Sequence, residues 1–338
     1  FELLSELYNE YHDASGTLQA AGLPFAVPLD DDRPGFSSPS MQMGFVGAQT
    51  SLAAQMIKVG YETDDTELVR KGSNMIDFWT TDTSVWPQYN PLPYVWWDPL
   101  DNNANGGGPR MTAAGQPYPG FLRILCDGMD GVMEAYKYAQ AGAGTAPAGW
   151  INAVTKVADF FYEKQQENGD GSLFRAYDVR TGAVNTDTSD ASYQGSSKLN
   201  TASVVPFFYK VSDYYDSIGD AQKSKQFSDA AKWAVDYVYD NIYSTLGKYV
   251  GGTIDQHNIV DKEAGIFAMR AFTSAYIATR DQKYLTAAEN AGCFVLSFIY
   301  AYDFAVPCAS ATQDRYNPFR EGGASGFSII ATGHSSSE

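Results

Sequence analysis

Cysteine is scarce in this sequence, with three residues among 338. Cys126, Cys293 and Cys308 include no Cys-x-x-Cys pair, so neither a structural zinc site nor a thioredoxin-like centre is supported. The sequence also lacks the phosphate-binding P-loop, the dinucleotide-binding fingerprint and the Gly-x-Ser-x-Gly motif of serine hydrolases. We therefore expect no metal and no organic cofactor.

Basic residues are also few. Lys and Arg number 23 against 40 Asp and Glu, which gives a formal net charge of −17. Nucleic acids and anionic membrane surfaces are bound through clustered Lys and Arg, so neither is an expected partner. No run of about 18 apolar residues, the minimum for a membrane-spanning helix, occurs. The low lysine content, the acidity and the abundance of Tyr, Asn and Gly favour a secreted or periplasmic protein.

Aromatic residues, by contrast, are abundant: they make up 14% of the chain, including 23 Tyr and 6 Trp. Aromatic rings stack on the C–H faces of sugars, but tyrosine also fills large helical cores, and composition leaves both explanations open. Hydrophobic residues at 44% and charged residues at 19% indicate a folded protein with a sizeable core.

Helical periodicity recurs along the whole chain and is interrupted by loops rich in Gly, Pro and Asn. Apolar residues that recur at helical spacing, such as Phe45, Leu52, Met56 and Val59, indicate amphipathic helices. The pattern predicts helices near residues 1–14, 42–59, 65–80, 120–141, 147–166, 198–217, 220–243, 262–280, 282–300 and 325–338.

The predicted helices occur in pairs. A short loop containing Gly and Asp joins the two members of a pair, as at residues 59–65 and 217–220, and a longer loop follows. Such a repeat is typical of a toroid or a solenoid of helical hairpins. We expect an all-α (α/α)₆ toroid formed by residues 1–338 as one domain and incomplete at its C-terminus, because a closed ring needs twelve helices. An open superhelix of the same hairpins is the alternative.

Two long loops interrupt the repeat. Residues 82–118 are irregular and rich in Trp and Tyr, and long ordered loops on rigid scaffolds are commonly functional. Residues 167–196 contain a Gly169-Asp170-Gly171 turn, strand-like alternation at 172–177 and a return turn at 180–182, which predicts a short hairpin. We expect both loops at the mouth of the toroid.

Three sequence blocks carry a resemblance to a known family. They are Ile124-Leu125-Cys126-Asp127-Gly128-Met129-Asp130, the stretch Asp170–Asp178 with Thr181-Gly182, and Ser192-Tyr193-Gln194-Gly195. In residue types and spacing they resemble the six-hairpin glycosidases, and among these the unsaturated glucuronyl hydrolases. The resemblance implies the (α/α)₆ fold, an oligosaccharide or polysaccharide substrate, and Asp127 as the proton donor.

The chain departs from this family at three places. Gln42 stands where the family has an acidic residue before its Gly-Phe, and Lys198–Thr201 replaces an Arg-Gly-Gln-Ala-Trp run. Arg320–Gly326 replaces the expected Asp-Ser-Ser-Ala. These differences bear on activity towards an unsaturated uronide and leave the expected fold unchanged.

Asp127 and Asp130 are the leading catalytic candidates. Residues three apart on a helix face the same way, and the neighbours Ile124, Leu125 and Met129 are apolar. An apolar setting keeps one of two close carboxyl groups protonated near neutral pH, as a general acid requires. Alternatively, one or both acidic residues merely stabilise the helix N-terminus.

Three further residues are weaker catalytic or binding candidates. His257 precedes the helix predicted at residue 262, and His334 follows a Gly-rich stretch, so each could contact a sugar from a loop; a plain surface position is the alternative. Glu263 is a second candidate carboxylate. Arg270 shares its helix face and is interpreted as a partner in a surface ion pair. The dispersed histidines carry no metal-binding signature.

Substrate contacts are expected from loops and arginines. Trp96, Trp97 and Asp98 lie in the long aromatic loop, where sugar stacking competes with anchoring to the core. Gln194 belongs to the third block of the resemblance. The arginines Arg123, Arg175 and Arg320 are candidates for holding a uronate carboxylate through paired hydrogen bonds.

These observations favour an exo-acting glycoside hydrolase on a uronic-acid-containing oligosaccharide, with an Asp general acid. A polysaccharide lyase on the same fold, with His257 or a Tyr as base, is the enzymatic alternative. A non-catalytic glycan-binding protein on a decayed barrel is the other. Nothing in the sequence indicates an oligomeric state.

Overall fold

The computed structural model describes residues 2–13, 15–24, 40–99, 107–187, 194–244, 249–252 and 260–299. After a short helix α1 (Glu2–Leu7), these residues form helical hairpins. The pairs are α2 (Gln49–Glu62) with α3 (Thr66–Thr80), α4 (Leu122–Ala143) with α5 (Ala148–Asn168), α6 (Val204–Ser217) with α7 (Ala221–Tyr237), and α8 (Lys262–Thr279) with α9 (Gln282–Leu296).

The helices pack in two layers. The first helices of successive pairs, α2, α4, α6 and α8, contact one another in that order, whereas α3, α5 and α7 contact one another on the other side. We call α2, α4, α6 and α8 the inner helices and their hairpin partners the outer helices. Each inner helix therefore starts at the same end of the assembly, and each outer helix returns from the opposite end. This is the hairpin arrangement that the sequence repeat predicts.

Aspartate side chains start several of these helices. Asp65 accepts a hydrogen bond from the Leu68 amide (2.9 Å) at the start of α3, and Asp220 accepts one from the Lys223 amide (3.0 Å) at the start of α7. An aspartate before the first helical residue satisfies an amide that has no partner within the helix. The Gly-Asp loops of the repeat thus act as helix N-caps.

The N-terminal helix prediction is wrong beyond Leu7. Instead of a helix over 1–14, strand β1 (Asn9–His12) pairs antiparallel with β2 (Leu18–Gly22). The carboxylate of Asp13 accepts hydrogen bonds from the amides of Ser15 (2.8 Å) and Thr17 (3.0 Å), and Gly16 has a φ of 84°. These contacts form a turn between the strands, a local signal that outweighs the apolar spacing before it.

The helix predicted over 42–59 begins later than expected, at Gln49. Residues Met41–Gln42 form strand β3, which pairs with β4 (Trp96–Asp98), and β4 pairs with β5 (Gly108–Pro109). The long aromatic loop is therefore attached by backbone hydrogen bonds to the segment that leads into α2.

The two long loops meet where α4 begins. Strand β6 (Gly120–Phe121) pairs with β7 (Ala176–Tyr177), and the predicted hairpin turn is present, since the Asp178 amide donates to the Ala183 carbonyl (2.8 Å). The segment predicted as a helix over 198–217 starts with a 3₁₀ turn at Leu199–Ser203, and a π-helical turn, Val238–Tyr243, extends α7. The helix predicted over 325–338 lies outside the described residues.

None of the helices in the described ranges combines the length and the apolar character needed to cross a bilayer.

Candidate active site

Asp127 and Asp130 face the same cavity, as their spacing on the helix predicts. The cavity has a volume of about 250 Å³ and is formed by the turn before α2, the start of α2, the first half of α4 and the middle of α8. The other described residues that line it are Gly44, Phe45, Ala48, Ser51 and Arg270. The long loops precede α4 and α6, so they join these helices at their N-terminal ends.

Gly44, in the turn before α2, packs directly against α4 and so places this part of the cavity wall close to the helix. A β-carbon on Gly44 would lie 2.3 Å from the Ile124 carbonyl oxygen and 3.2 Å from the Asp127 β-carbon. Any larger residue at position 44 would push the turn and its neighbour Phe45 away from α4. The Gly44-Phe45 pair therefore has a geometric reason to precede α2 in this fold.

Asp127 is a shielded carboxyl group with access to the cavity. A quarter of its side chain (25%) is exposed, Arg123 Nε lies 3.8 Å from its Oδ2, and Arg270 Nη1 lies 3.6 Å from its Oδ1. Burial raises the pKa of Asp127 above its ordinary value, although the two guanidinium groups act in the opposite direction. The nearby carboxylates of Asp130 and Glu263 add to the rise. This carboxyl group consequently holds its proton to a higher pH than an ordinary aspartate.

Asp130 has a different environment. Lys210, on α6, donates a hydrogen bond to Asp130 Oδ1, and Arg270 Nη2 lies 3.7 Å from Oδ2. Lys210 Nζ is also 4.0 Å from Glu134 Oε1. Two cations on two other helices thus face the carboxyl group of Asp130, and one of them, Arg270, also lies near Asp127.

The position of Arg270 corrects the sequence interpretation. Arg270 does not form the expected surface ion pair with Glu263; its guanidinium group lies between Asp127 and Asp130 and remains 42% exposed. Glu263 instead accepts a hydrogen bond from Arg123 and does not line the cavity. The shared helix face of Glu263 and Arg270 indicated that they point the same way, but not that this face packs on α4.

Arg123 and Arg175 are also corrected, because neither presents its guanidinium group to a ligand. Arg123 is 8% exposed, and its Nη1 donates to the Gly252 carbonyl (3.0 Å) and to Glu263. Arg175 is 1% exposed, and its Nη1 donates to Asn200 Oδ1 (2.8 Å) and to the Gly251 carbonyl (2.7 Å). Neither arginine is therefore among the described residues that line the cavity.

Trp97 is a core residue and not a sugar-stacking platform. It is 3% exposed and packs edge-on against Phe78, with ring centroids 5.6 Å apart. Trp96 is half-buried beside the Tyr118 ring (4.7 Å) and under the Arg110 guanidinium (4.5 Å). Alternate residues of a strand face opposite sides, which separates the two rings. A sugar contact by Trp96 stays a prediction.

Two substrate-binding candidates, Asp98 and Gln194, lie outside the cavity wall, as does Gln42, the residue that departs from the family pattern. Asp98 pairs with Gly108 in the small sheet, and Gln194 is exposed in a turn with a φ of 32°. Gln42 is fully buried behind the turn that carries Gly44; its Oε1 accepts from the Gly47 amide (3.4 Å), and its Nε2 has no hydrogen-bond partner among the residues that the structure describes. None of the three is among the described residues that line the cavity.

His257, His334, Arg320 and Cys308 lie outside the described residues. Within the described ranges, no group of three or more His, Cys, Asp and Glu side chains is arranged to hold a metal ion. Of the sequence-predicted residues, then, the structure brings Asp127 and Asp130 into one cavity and adds Arg270. Arg123 and Glu263 lie close to Asp127 but do not line the cavity.

Solved structures share this architecture. The cellobiose 2-epimerase from Bacillus thermoamylovorans superposes with a TM-score of 0.51 at 12% identity, over 74% of this chain and 60% of that one. The cellobiose 2-epimerase from Spirochaeta thermophila superposes with a TM-score of 0.54 at 10% identity, over 80% of this chain and 64% of that one. The GH76 α-mannanase from Bacteroides thetaiotaomicron superposes with a TM-score of 0.50 at 14% identity, over 86% of this chain and 65% of that one. The chain thus spans between 60% and 65% of the length of these structures.

At such low identity, the likeness establishes the fold: the chain is an all-α toroid of helical hairpins, and the predicted (α/α)₆ class is confirmed. No protein-family model matches the chain, and no curated protein matches its sequence. The similarity is therefore one of three-dimensional architecture.

Proposed function

We propose that this protein is a carbohydrate-active enzyme, specifically an exo-acting glycoside hydrolase on uronic-acid-containing oligosaccharides. The observation that carries the proposal is the carboxyl group of Asp127, which is shielded enough to retain a proton and yet reaches a small polar cavity. Structures of the same fold are named as a disaccharide epimerase and a mannanase, which supports a carbohydrate as the substrate class. We also propose that the protein acts after export.

Asp127 is the proton donor in this proposal. A general acid must be protonated at the working pH and must give up its proton as the bond breaks, which favours a carboxyl group of raised pKa. Burial raises the pKa of Asp127 in this way. Its proton passes to the glycosidic oxygen, the bond between that oxygen and the anomeric carbon breaks, and the leaving sugar departs as an alcohol.

Asp130 is the second carboxylate of the cavity. In our proposal it accepts a proton from the water that adds to the anomeric carbon, so that one water is consumed and two hydroxyl groups are formed. Lys210 donates a hydrogen bond to Asp130, and Arg270 Nη2 lies 3.7 Å from it, so side chains of two other helices hold this carboxyl group in position.

Arg270 is proposed to bind the uronate carboxylate. It is the arginine in the described cavity wall, and it is less buried than Arg123 and Arg175, whose Nη1 atoms donate hydrogen bonds within the protein. A guanidinium group binds a carboxylate through two parallel hydrogen bonds. The volume of about 250 Å³ is small against the roughly 300–1,000 Å³ typical of drug-sized ligands, which favours one terminal sugar ring and hence exo action.

The test uses an oligosaccharide ending in a uronic acid and a matched oligosaccharide ending in the corresponding neutral sugar. We expect Asp127→Asn to reduce turnover about a hundredfold or more while sugar binding persists. Arg270→Met should raise KM for the uronate substrate and leave that for the neutral one nearly unchanged. Arg280→Met, which removes an exposed arginine just after the same helix, is the control.

Product analysis separates this proposal from its rivals. A hydrolase releases a new reducing end without ultraviolet absorbance, whereas a lyase creates a conjugated double bond that absorbs. Epimerisation would yield an uncleaved product, and a glycan-binding protein would bind without turnover. Any of these three results, or near-full activity of Asp127→Asn, contradicts the proposed hydrolase.

A further inference from the structure

Arg123 lies next to Asp127 and packs against aromatic side chains. Its guanidinium carbon lies 4.1 Å from the centre of the Phe45 ring and 4.7 Å from that of Phe267, so the group is held between two aromatic rings. Nη1 donates to Glu263 and to the carbonyl of Gly252. This combination of stacking and directed hydrogen bonds leaves the side chain little freedom to move.

Another donor atom of this side chain, Nε, lies close to Asp127. Arg123 Nε is buried, has no hydrogen-bond partner within the described ranges, and lies 3.8 Å from Asp127 Oδ2, one helical turn further along α4. A buried N–H group without a partner is costly, so its place beside the candidate acid calls for an explanation. Phe45 belongs to the same turn as Gly44 and lines the cavity, which links the Arg123 stack to the cavity wall.

We propose that Arg123 and Glu263 form a positioning pair that orients the Asp127 carboxyl group and sets the pH at which it ionises. The inference rests on the proposed role of Asp127. Arg123 contributes a positive charge beside Asp127 Oδ2, whereas Arg270 faces Oδ1. Glu263 offsets part of the Arg123 charge through its direct hydrogen bond. Neither residue is required to touch the substrate.

Charged groups reach Asp127 from two helices. Arg123 and Asp130 belong to α4, and Glu263 and Arg270 belong to α8. Lys210 of α6 acts indirectly, because it is hydrogen-bonded to Asp130. The described residues that α2 and its preceding turn place on the cavity are uncharged: Gly44, Phe45, Ala48 and Ser51. Among the four direct groups, only Arg123 and Glu263 are hydrogen-bonded to each other, so changing one leaves the charge of the other uncompensated beside Asp127.

This coupling predicts opposite effects for two single substitutions. Arg123→Met removes a cation and leaves the Glu263 carboxylate unpaired, so the titration midpoint of Asp127 should rise by about one pH unit. Glu263→Gln removes the negative charge while keeping almost the same side-chain shape. The positive charge of Arg123 is then no longer offset, so the titration midpoint of Asp127 should fall by about as much. Arg123→Lys keeps the charge and should leave the midpoint close to that of the parent protein.

The experiment is a pH titration of ¹³C-labelled aspartate carboxyl groups by NMR, with Asp127 assigned from the signal that Asp127→Asn removes. It needs no substrate, so it is independent of the hydrolase proposal. Midpoints that move in opposite directions in Arg123→Met and Glu263→Gln support the inference. If Arg123→Met does not fold, as near-ultraviolet circular dichroism would show, a fall in Glu263→Gln alone supports it.

Absence of a shift in Glu263→Gln, or shifts of the same sign in both variants, overturns the inference and assigns the pair a purely structural role. The basic limb of the pH profile of kcat/KM should follow the NMR midpoint, since activity is lost when the acid ionises. Should the midpoints move as expected while the pH profile stays in place, the positioning pair holds and the assignment of Asp127 as general acid fails.

Discussion

The Thr50 hydroxyl donates a hydrogen bond of 2.7 Å to the carbonyl oxygen of Gly128, the residue after Asp127. This bond joins α2 to α4 at the level of the cavity. It forms because the two helices approach closely where Gly131 has no side chain: a β-carbon there would lie 2.5 Å from the Ser51 nitrogen. The geometry of the candidate site therefore depends on one glycine in a helix interior.

We expect Gly131→Ala to destabilise the protein by roughly 1–3 kcal/mol, the usual range for an overpacked interior. The measurement is urea unfolding followed by circular dichroism. Gly292→Ala in α9 is the matched control, because its β-carbon would meet only the Met269 sulfur at an ordinary 3.5 Å. That change should stabilise the protein by up to about 1 kcal/mol through helix propensity. Equal effects of the two substitutions would refute the close approach of α2 and α4.

Asp127→Asn should make the protein more stable at neutral pH. The folded-state pKa of Asp127 is raised by burial, so above it the folded protein carries an ionised carboxylate in an unfavourable setting. That penalty is complete above the folded pKa and fades as the pH falls towards the ordinary aspartate value of about 3.9. Thermal unfolding of both proteins between pH 4 and 8, expressed as the difference in Tm, measures the effect.

Asp178→Asn should have the opposite effect and make the protein less stable at neutral pH. Desolvation acts to raise the pKa of Asp178, but its contacts with the Arg180 side chain and with the backbone amides of Arg180 and Thr181 outweigh that effect and lower the pKa. Here the wild-type carboxylate stabilises the fold above the ordinary aspartate pKa, and the advantage is lost as the pH falls through the folded pKa. Differences in Tm that run in the same direction for both variants would contradict the assigned environments.

Trp97 and Trp96 should differ sharply when replaced by alanine. Trp97→Ala removes a buried ring and should lower the free energy of unfolding by roughly 3–5 kcal/mol. Trp96→Ala should have a smaller effect on stability and, if its ring stacks on sugar as the sequence predicts, should weaken sugar affinity by roughly threefold to tenfold. Denaturant titration and calorimetric sugar binding measure the two effects. Unchanged affinity in Trp96→Ala would remove Trp96 from the site.

The thiols should differ in reactivity. Cys126 is buried, and burial raises its pKa well above the ordinary value, whereas Cys293 is exposed. Iodoacetamide labelling followed by peptide mass analysis should therefore modify Cys293 in the native protein and Cys126 only after unfolding. Rapid native labelling of Cys126 would mean that the first half of α4 opens readily.

The sequence by itself determined the elements that depend on short-range patterns. Apolar periodicity located the helices, Gly-Asp loops located N-caps such as Asp65 and Asp220, and a spacing of three placed Asp127 and Asp130 on one face. These features follow from helix geometry and from hydrogen bonds between near neighbours, so they need no knowledge of what packs where. Apolar periodicity did not predict the N-terminal strands, because one turn, made by Asp13, decided against a helix.

Only the tertiary structure decided which cations face those carboxylates. Arg270 rather than Arg123 or Arg175 reaches the cavity, Glu263 pairs with Arg123 and not with Arg270, and Trp97 rather than Trp96 enters the core. Each outcome depends on the rotation of one helix or strand relative to another. That rotation is set by long-range packing at close approaches such as Gly131 against Ser51, which local periodicity does not encode.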